Sequence, residues 1–172
     1  MSATVVDQQT AIPRAKAACK RAAELVLTKK VVVALVDDPT MAELHERFLG
    51  KQGPTDVLSF PHGEIVVSAD TAAREAKARG IPPLHELVLY VVHGALHLAG
   101  YEDRSPKAAR RMRQAERKIL DELGYGDVFG TPIQSKGRPP RGGPKRKFAG
   151  KSRPGKKKTT TRKKTSARRR NR

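Results

Sequence analysis

The stretch "HGALHLAGYEDR", residues 93–104, places two histidines four residues apart, a glycine three residues after the second, and a carboxylate six residues after it. On a helix, positions i and i+4 project from the same face, so His93 and His97 can reach one ion. Gly100 lets the chain leave the helix and double back, because glycine tolerates left-handed backbone angles. Asp103 can then supply a third ligand. The spacing matches metzincin-type zinc sites. Two imidazoles and a carboxylate form a known catalytic zinc set that leaves the fourth position open. A lone histidine on an apolar helix is more often a core residue than a ligand. The pair, the glycine and the adjacent acids Glu102 and Asp103 together favour a metal.

The chemistry such a set supports is hydrolysis. A divalent ion lowers the pKa of bound water to about 7 and polarises a phosphoryl oxygen. That suffices for phosphodiester cleavage without a Ser or Cys nucleophile. An aspartate in place of a third histidine lowers the net charge of the site by one unit. It also offers a harder ligand, so manganese competes better than at a three-histidine site. The expected cofactor is one divalent metal ion, zinc foremost, with no small-molecule cofactor. Glu102 is a candidate catalytic residue that orients water or binds a ligand histidine through its second nitrogen. Gly94 argues against a peptidase, since H-E-x-x-H enzymes carry their general base at that position.

The elements that must position these residues are legible from pattern. "TVVDQQ", "KVVVALVDD", the segment 57–60 and "GEIVVSAD" read as four strands, the second covered on both faces. Ile65 and Val67 share a face. Five helices are expected. The first covers "IPRAKAACKRAAELVLTKK" with Pro13 in its first turn. "PTMAELHERFLG" carries a capping box from Thr40 to Glu43 and ends at Gly50. "TAAREAKARG" is capped by Asp70 and ended by Gly80. The stretch 84–99 is apolar nearly all round, so it reads as a buried helix, with prolines before it and Gly100 after it. The last, "SPKAARRMRQAERKILDELG", has Ser105 as N-cap, Pro106 at N1, a stripe of Ala108, Met112, Ala115, Ile119 and Leu123, and Gly124 as its stop.

Charge divides the chain. Of its net +19, the segment 133–172 carries +18, with 18 Lys and Arg and no acid. The body, residues 1–130, is close to neutral. The segment 131–172 lacks apolar periodicity and is expected to be a disordered basic tail. Its Lys156, Lys157, Lys158, Arg168, Arg169 and Arg170 suit phosphate contacts that give affinity rather than sequence reading. Cys19 is the only cysteine, which excludes an intrachain disulfide and a Cys-based zinc cluster. No signal-peptide pattern opens the chain. "LVLYVVHGALHLAG" is shorter than the 18–20 or so residues of a bilayer span. A cytoplasmic protein without a membrane partner is expected.

"HGALHLAGYED" closely resembles the H-G-x-L-H-L-x-G-Y-D-H signature of the YbeY family, bacterial endoribonucleases of ribosomal RNA maturation. "GPTDVLSFP" and "GEIVVS" resemble two further family blocks, in the same order. The resemblance spans roughly residues 5–125. It implies an α/β (α+β) fold, a small mixed sheet packed with helices, with zinc held on a buried helix. It implies single-strand-specific, metal-dependent RNA cleavage in late 16S rRNA 3′-end processing and ribosome quality control. The implied partners are ribosomal RNA, the small ribosomal subunit and assembly factors. It also places Thr55, Asp56 and Ser59 beside the metal, lining an RNA groove. The chain departs from the pattern at Asp103 and Glu102, which replace His and Asp. Leu49 stands at a family Arg position, with His45 and Gln52 nearby in place of Asn and Asp. Arg47 or Lys51 are the cations nearest to that missing Arg. These departures motivate an alternative, a non-catalytic RNA-binding assembly factor with a degenerate site. His45, His62 and His85 lie outside ligand spacing.

Overall fold

A computed structural model describes residues 2–126 and Val128. Nine elements follow in order: β1 (Ala3–Asp7), α1 (Ala15–Val26), β2 (Val31–Val36), α2 (Asp38–Leu49), β3 (Val57–Phe60), β4 (Glu64–Ser68), α3 (Ala69–Arg79), α4 (Pro83–Leu98) and α5 (Pro106–Leu123). The four strands form one mixed sheet in the order β1-β2-β4-β3. β2 pairs in parallel with β1 and β4, and β3 pairs antiparallel to β4. This is the expected α/β architecture. The expected tail, with Lys156, Lys157, Lys158, Arg168, Arg169 and Arg170, lies outside the described residues.

The main core sits on one sheet face. Val31, Val33 and Leu35 of β2 and Ile65 and Val67 of β4 point into it, as their alternation requires. A second, smaller cluster occupies the opposite face, where Val36, Leu58 and Val66 meet Met41 of α2. The cover on that side is partial: Val32 and Ala34 remain only half-buried. Full cover on both faces of β2 was expected. Among the described residues, α2 packs mainly against β4 and leaves β2 partly uncovered.

α4 is the buried helix that its apolar run predicts. Leu87, Val88, Val91, Val92 and Ala95 are completely enclosed. Pro83 occupies its first turn, where the missing N–H costs nothing. Glu86 is the one carboxylate on its buried part, and Arg79 donates to both of its oxygens. The same guanidinium reaches the Val128 carbonyl at 2.7 Å, which ties α3, α4 and the chain beyond α5 together.

Three helix starts differ from their sequence expectation. α1 begins at Ala15, after Pro13. The Gln9 side chain clamps both the N–H and the carbonyl of Ile12, and Arg14 takes a left-handed φ of 62°, so the chain turns before the helix can begin. α2 is capped by Asp37, whose carboxylate accepts from the Thr40 amide at 3.0 Å; Thr40 is not the cap. Pro39 sits inside the first turn, so the cap must precede it. α3 is capped by Ser68, the last residue of β4, which accepts from the Thr71 amide. Asp70 is thereby free to accept from the amide of Asp38 at 3.0 Å, linking the starts of α2 and α3.

Candidate metal centre

α4, which carries His93 and His97, ends in a Schellman motif. The Tyr101 amide donates to the Leu96 carbonyl and the Gly100 amide to that of His97, both at 3.0 Å. Gly100 has a φ of 89°, which a side chain would strain. This turn aims the Tyr101 carbonyl back at the helix, where it accepts from Nδ1 of His97 at 3.0 Å. The same reversal sends the chain on to Asp103.

His93 is held from α5. Its Nδ1 lies 2.7 Å from Oε1 of Glu116, a carboxylate only 3% exposed. A carboxylate and a carbonyl can only accept, so both histidines carry their hydrogen on Nδ1. As neutral imidazoles, both then present Nε2 lone pairs toward each other, with the two atoms 3.1 Å apart. That spacing suits a cation between them, a shared proton or a metal ion. Zn–N bonds of about 2.0–2.1 Å at a tetrahedral angle would put two donor atoms about 3.3 Å apart. The pair therefore fits a metal. Asp103 Oδ2 stands 4.0 Å from His97 Nε2, and one ligand atom from each of the three residues falls within 4.8 Å of the others. The Asp103 side chain is 46% exposed and has room to turn inward.

The electrostatics agree. Burial alone would lower the pKa of His93, but the hydrogen bond and charge of Glu116 outweigh it and raise the value above the ordinary range. The charges of Asp56 and Asp103 act in the same direction. The site attracts positive charge.

A groove of about 910 Å³ passes over His93, His97 and Asp103. Asp56, just before β3, and Ser59, within it, line the groove. Asp56 Oδ1 accepts from the Thr55 hydroxyl and the Val57 amide, each at 2.9 Å. The Ser59 hydroxyl donates to the Gly94 carbonyl at 3.3 Å. Leu49 and Glu102 also line it. Glu102 reaches Arg104 at 3.5 Å and binds neither ligand histidine, whose second nitrogens are taken by Glu116 and Tyr101. Arg47 and Lys51 are exposed and outside the groove lining among the described residues. A cavity of about 320 Å³ between α4 and α5 shares Asp56, His93 and Asp103 with the groove.

Gly94 has a structural reason. A Cβ there would lie 2.8 Å from Ile65 Cγ2 and 2.9 Å from Ser59 Oγ. Position 94 faces the sheet, not the ligands, and a glutamate has no space there.

The profile for Endoribonuclease YbeY matches residues 3–124. The chain belongs to the YbeY family. A protein named Endoribonuclease YbeY from a Chelativorans species is 37% identical over 131 residues, covering 69% of this chain and 80% of its own. Another so named, from Rhodococcus opacus, is 38% identical over 115 residues, covering 56% of this chain and 63% of its own. A solution structure of a Thermotoga maritima protein has the same fold, with a TM-score of 0.52 and 23% identity, over 78% of this chain and all of the other. The YbeY signature of the sequence thus sits on α4 and its Schellman turn, and the "GPTDVLSFP" block lies across the groove from it.

Glu116 was missed from sequence. Its signal was available: it lies four residues after Met112 and four before Leu120, both buried, so a carboxylate stands on the apolar stripe of α5. Such a residue needs a partner inside the protein.

Proposed function

We propose that the chain is a metal-dependent endoribonuclease that cuts single-stranded RNA, acting in late 16S rRNA 3′-end processing and ribosome quality control in the cytoplasm. The observation that carries this reading is the pair of Nε2 atoms 3.1 Å apart beside Asp103, within a groove on a YbeY-family fold. His93, His97 and Asp103 would hold one divalent ion, zinc foremost. When bound, the ion would supply a Lewis acid for a phosphoryl oxygen and acidify water.

The remaining roles belong to the chain. Glu116 and the Tyr101 carbonyl keep both imidazoles in the ligand tautomer. Asp56 and Ser59 line the path of the RNA, with Thr55 outside the groove lining and hydrogen-bonded to Asp56, and the exposed Glu102 orients water at the edge of that path. Arg47, Lys51 and the tail cations Lys156, Lys157, Lys158, Arg168, Arg169 and Arg170 hold phosphates, with affinity that falls as salt rises. Ribosomal RNA, the small subunit and assembly factors are the proposed partners. No helix among the described residues is long and apolar enough to cross a membrane.

The test is metal analysis of the purified protein together with cleavage of a single-stranded oligoribonucleotide, compared with His97→Ala. Loss of both metal and cleavage is expected. Equal cleavage by the variant would remove the metal mechanism, and tight RNA binding without turnover in any divalent ion would favour the non-catalytic reading.

A further inference from the structure

The last turn of α2 leaves two adjacent large apolar side chains in water. Phe48 is 52% exposed and Leu49 56%, the highest values for large hydrophobics among the described residues. Both line the groove that passes over His93 and His97. Single exposed apolar residues need no explanation, but this patch has internal order. The Phe48 ring meets Phe60 edge-on, with centroids 4.9 Å apart and planes at 69°. Phe60 in turn stacks on His62, at 5.5 Å and 27°. The Arg47 guanidinium lies 5.7 Å from the Phe48 ring centre. Lys29 and Arg104 stand along the same groove.

Ring faces set beside cations, in a trough that leads to a metal centre, match the chemistry of an unpaired nucleotide. Its base offers a flat π-face to a ring, and its phosphate offers a charge to Arg47 or Lys29. A protein partner would favour a patch whose centre is poor in charge. Here a guanidinium lies against the Phe48 ring, and Lys29 and Arg104 line the same groove. We propose that Phe48, Phe60 and His62, with Arg47 beside them, form a base-stacking subsite for one nucleotide of the RNA strand whose backbone crosses the metal centre. The subsite rests on the endoribonuclease reading for its ligand class. It also gives a reason for single-strand preference. A paired base already has both faces covered by its neighbours in the helix, whereas an unpaired base can splay onto a ring.

The test uses the full chain, a chelator to prevent cleavage, and salt high enough to weaken purely ionic contacts. Affinity is measured for a short single-stranded oligoribonucleotide and for one of equal length with abasic positions. Phe48 is exposed, so its variants keep the core. Phe48→Ala and Phe48→Leu are expected to weaken binding of the normal strand by about tenfold, and Phe48→Trp to restore it. The abasic strand should bind about tenfold more weakly to the wild-type chain and should not sense the variants. A strand carrying 5-iodouridine should crosslink under ultraviolet light to Phe48, Phe60 or His62. Equal affinity of wild type and Phe48→Leu for the normal strand would overturn the subsite, as would an abasic strand as sensitive to Phe48→Ala as the normal one. The outcome is separable from the nuclease reading: cleavage by a wild-type chain whose binding ignores Phe48 removes only the subsite. Base-dependent binding through Phe48 without cleavage in any divalent ion removes only the nuclease.

Discussion

Glu116 and His93 are joined across two helices by a 2.7 Å hydrogen bond from Nδ1 to a carboxylate oxygen that is almost wholly buried. The contact fixes the ring's tautomer and rotation, and it places a negative charge behind the candidate ligand. Glu116→Ala should therefore lower metal affinity by about 10–100-fold, while Glu116→Gln, which still presents an oxygen to Nδ1, should lose less. Competition against a chromophoric chelator measures both. Wild-type affinity in Glu116→Ala would leave the contact with a packing role only.

Gly94 is where α4 comes closest to the sheet. A methyl group at this position would press on Ile65 and Val57, whose β-branched side chains have little rotamer freedom, and on the Ser59 hydroxyl. Gly94→Ala should cost about 1–3 kcal/mol, the usual range for overpacking. Because the helix would have to lift from β3 and β4, metal affinity should fall with it. Urea unfolding gives the first quantity and chelator competition the second.

Most of the architecture was legible because the signals were local. The four strands, the buried α4 and the C-terminal glycines at 50, 80 and 124 follow from periodicity and from the φ that only glycine adopts cheaply. The grouping of His93, His97 and Asp103 was legible because they lie within one helix and the turn after it. The remainder depends on contacts distant in sequence. Thr40 and Asp70 looked like caps, yet Asp37 and Ser68 hold those places because of where Pro39 and the end of β4 fall. Glu116 lies 23 residues from His93, and only the packing of α5 on α4 reveals its partner. The aromatic row was hidden for the same reason: Phe48 and Phe60 belong to separate elements that the sheet brings together.

Asp38 supplies a pH-dependent test of the link between α2 and α3. Burial alone would raise its pKa. Hydrogen bonds from the Ser68 hydroxyl, Arg74 and the Thr71 hydroxyl, with the charge of Arg74, outweigh burial and lower it. The folded value thus lies below the unfolded one of about 3.9. The stabilisation is complete above the unfolded pKa and is lost as pH falls through the folded value. Asp38→Asn should be less stable by about 1 kcal/mol at pH 6, a modest figure because Arg74 is largely exposed and solvent screens the pair. The gap between the two proteins should close below pH of about 4, as measured by urea midpoints across the acid range.

Asp103 is the residue through which the ion preference of the candidate centre can be tested. Its carboxylate is the third member of a set whose other two are imidazoles. A carboxylate favours harder ions than a third imidazole does, and it leaves the site one unit less positive. Asp103→His should therefore raise affinity for zinc relative to manganese. Asp103→Ala should weaken both, leaving two histidines that Glu116 and Tyr101 still hold in place. If Asp103 coordinates, Asp103→Asn should lose metal nearly as far as Asp103→Ala, because a neutral amide is a poor substitute for a carboxylate. Were Asp103→Asn to keep wild-type affinity and metal preference, the carboxylate would contribute neither as a ligand nor through its charge. Titration of each variant with zinc and manganese against the same chelator measures affinity and preference together.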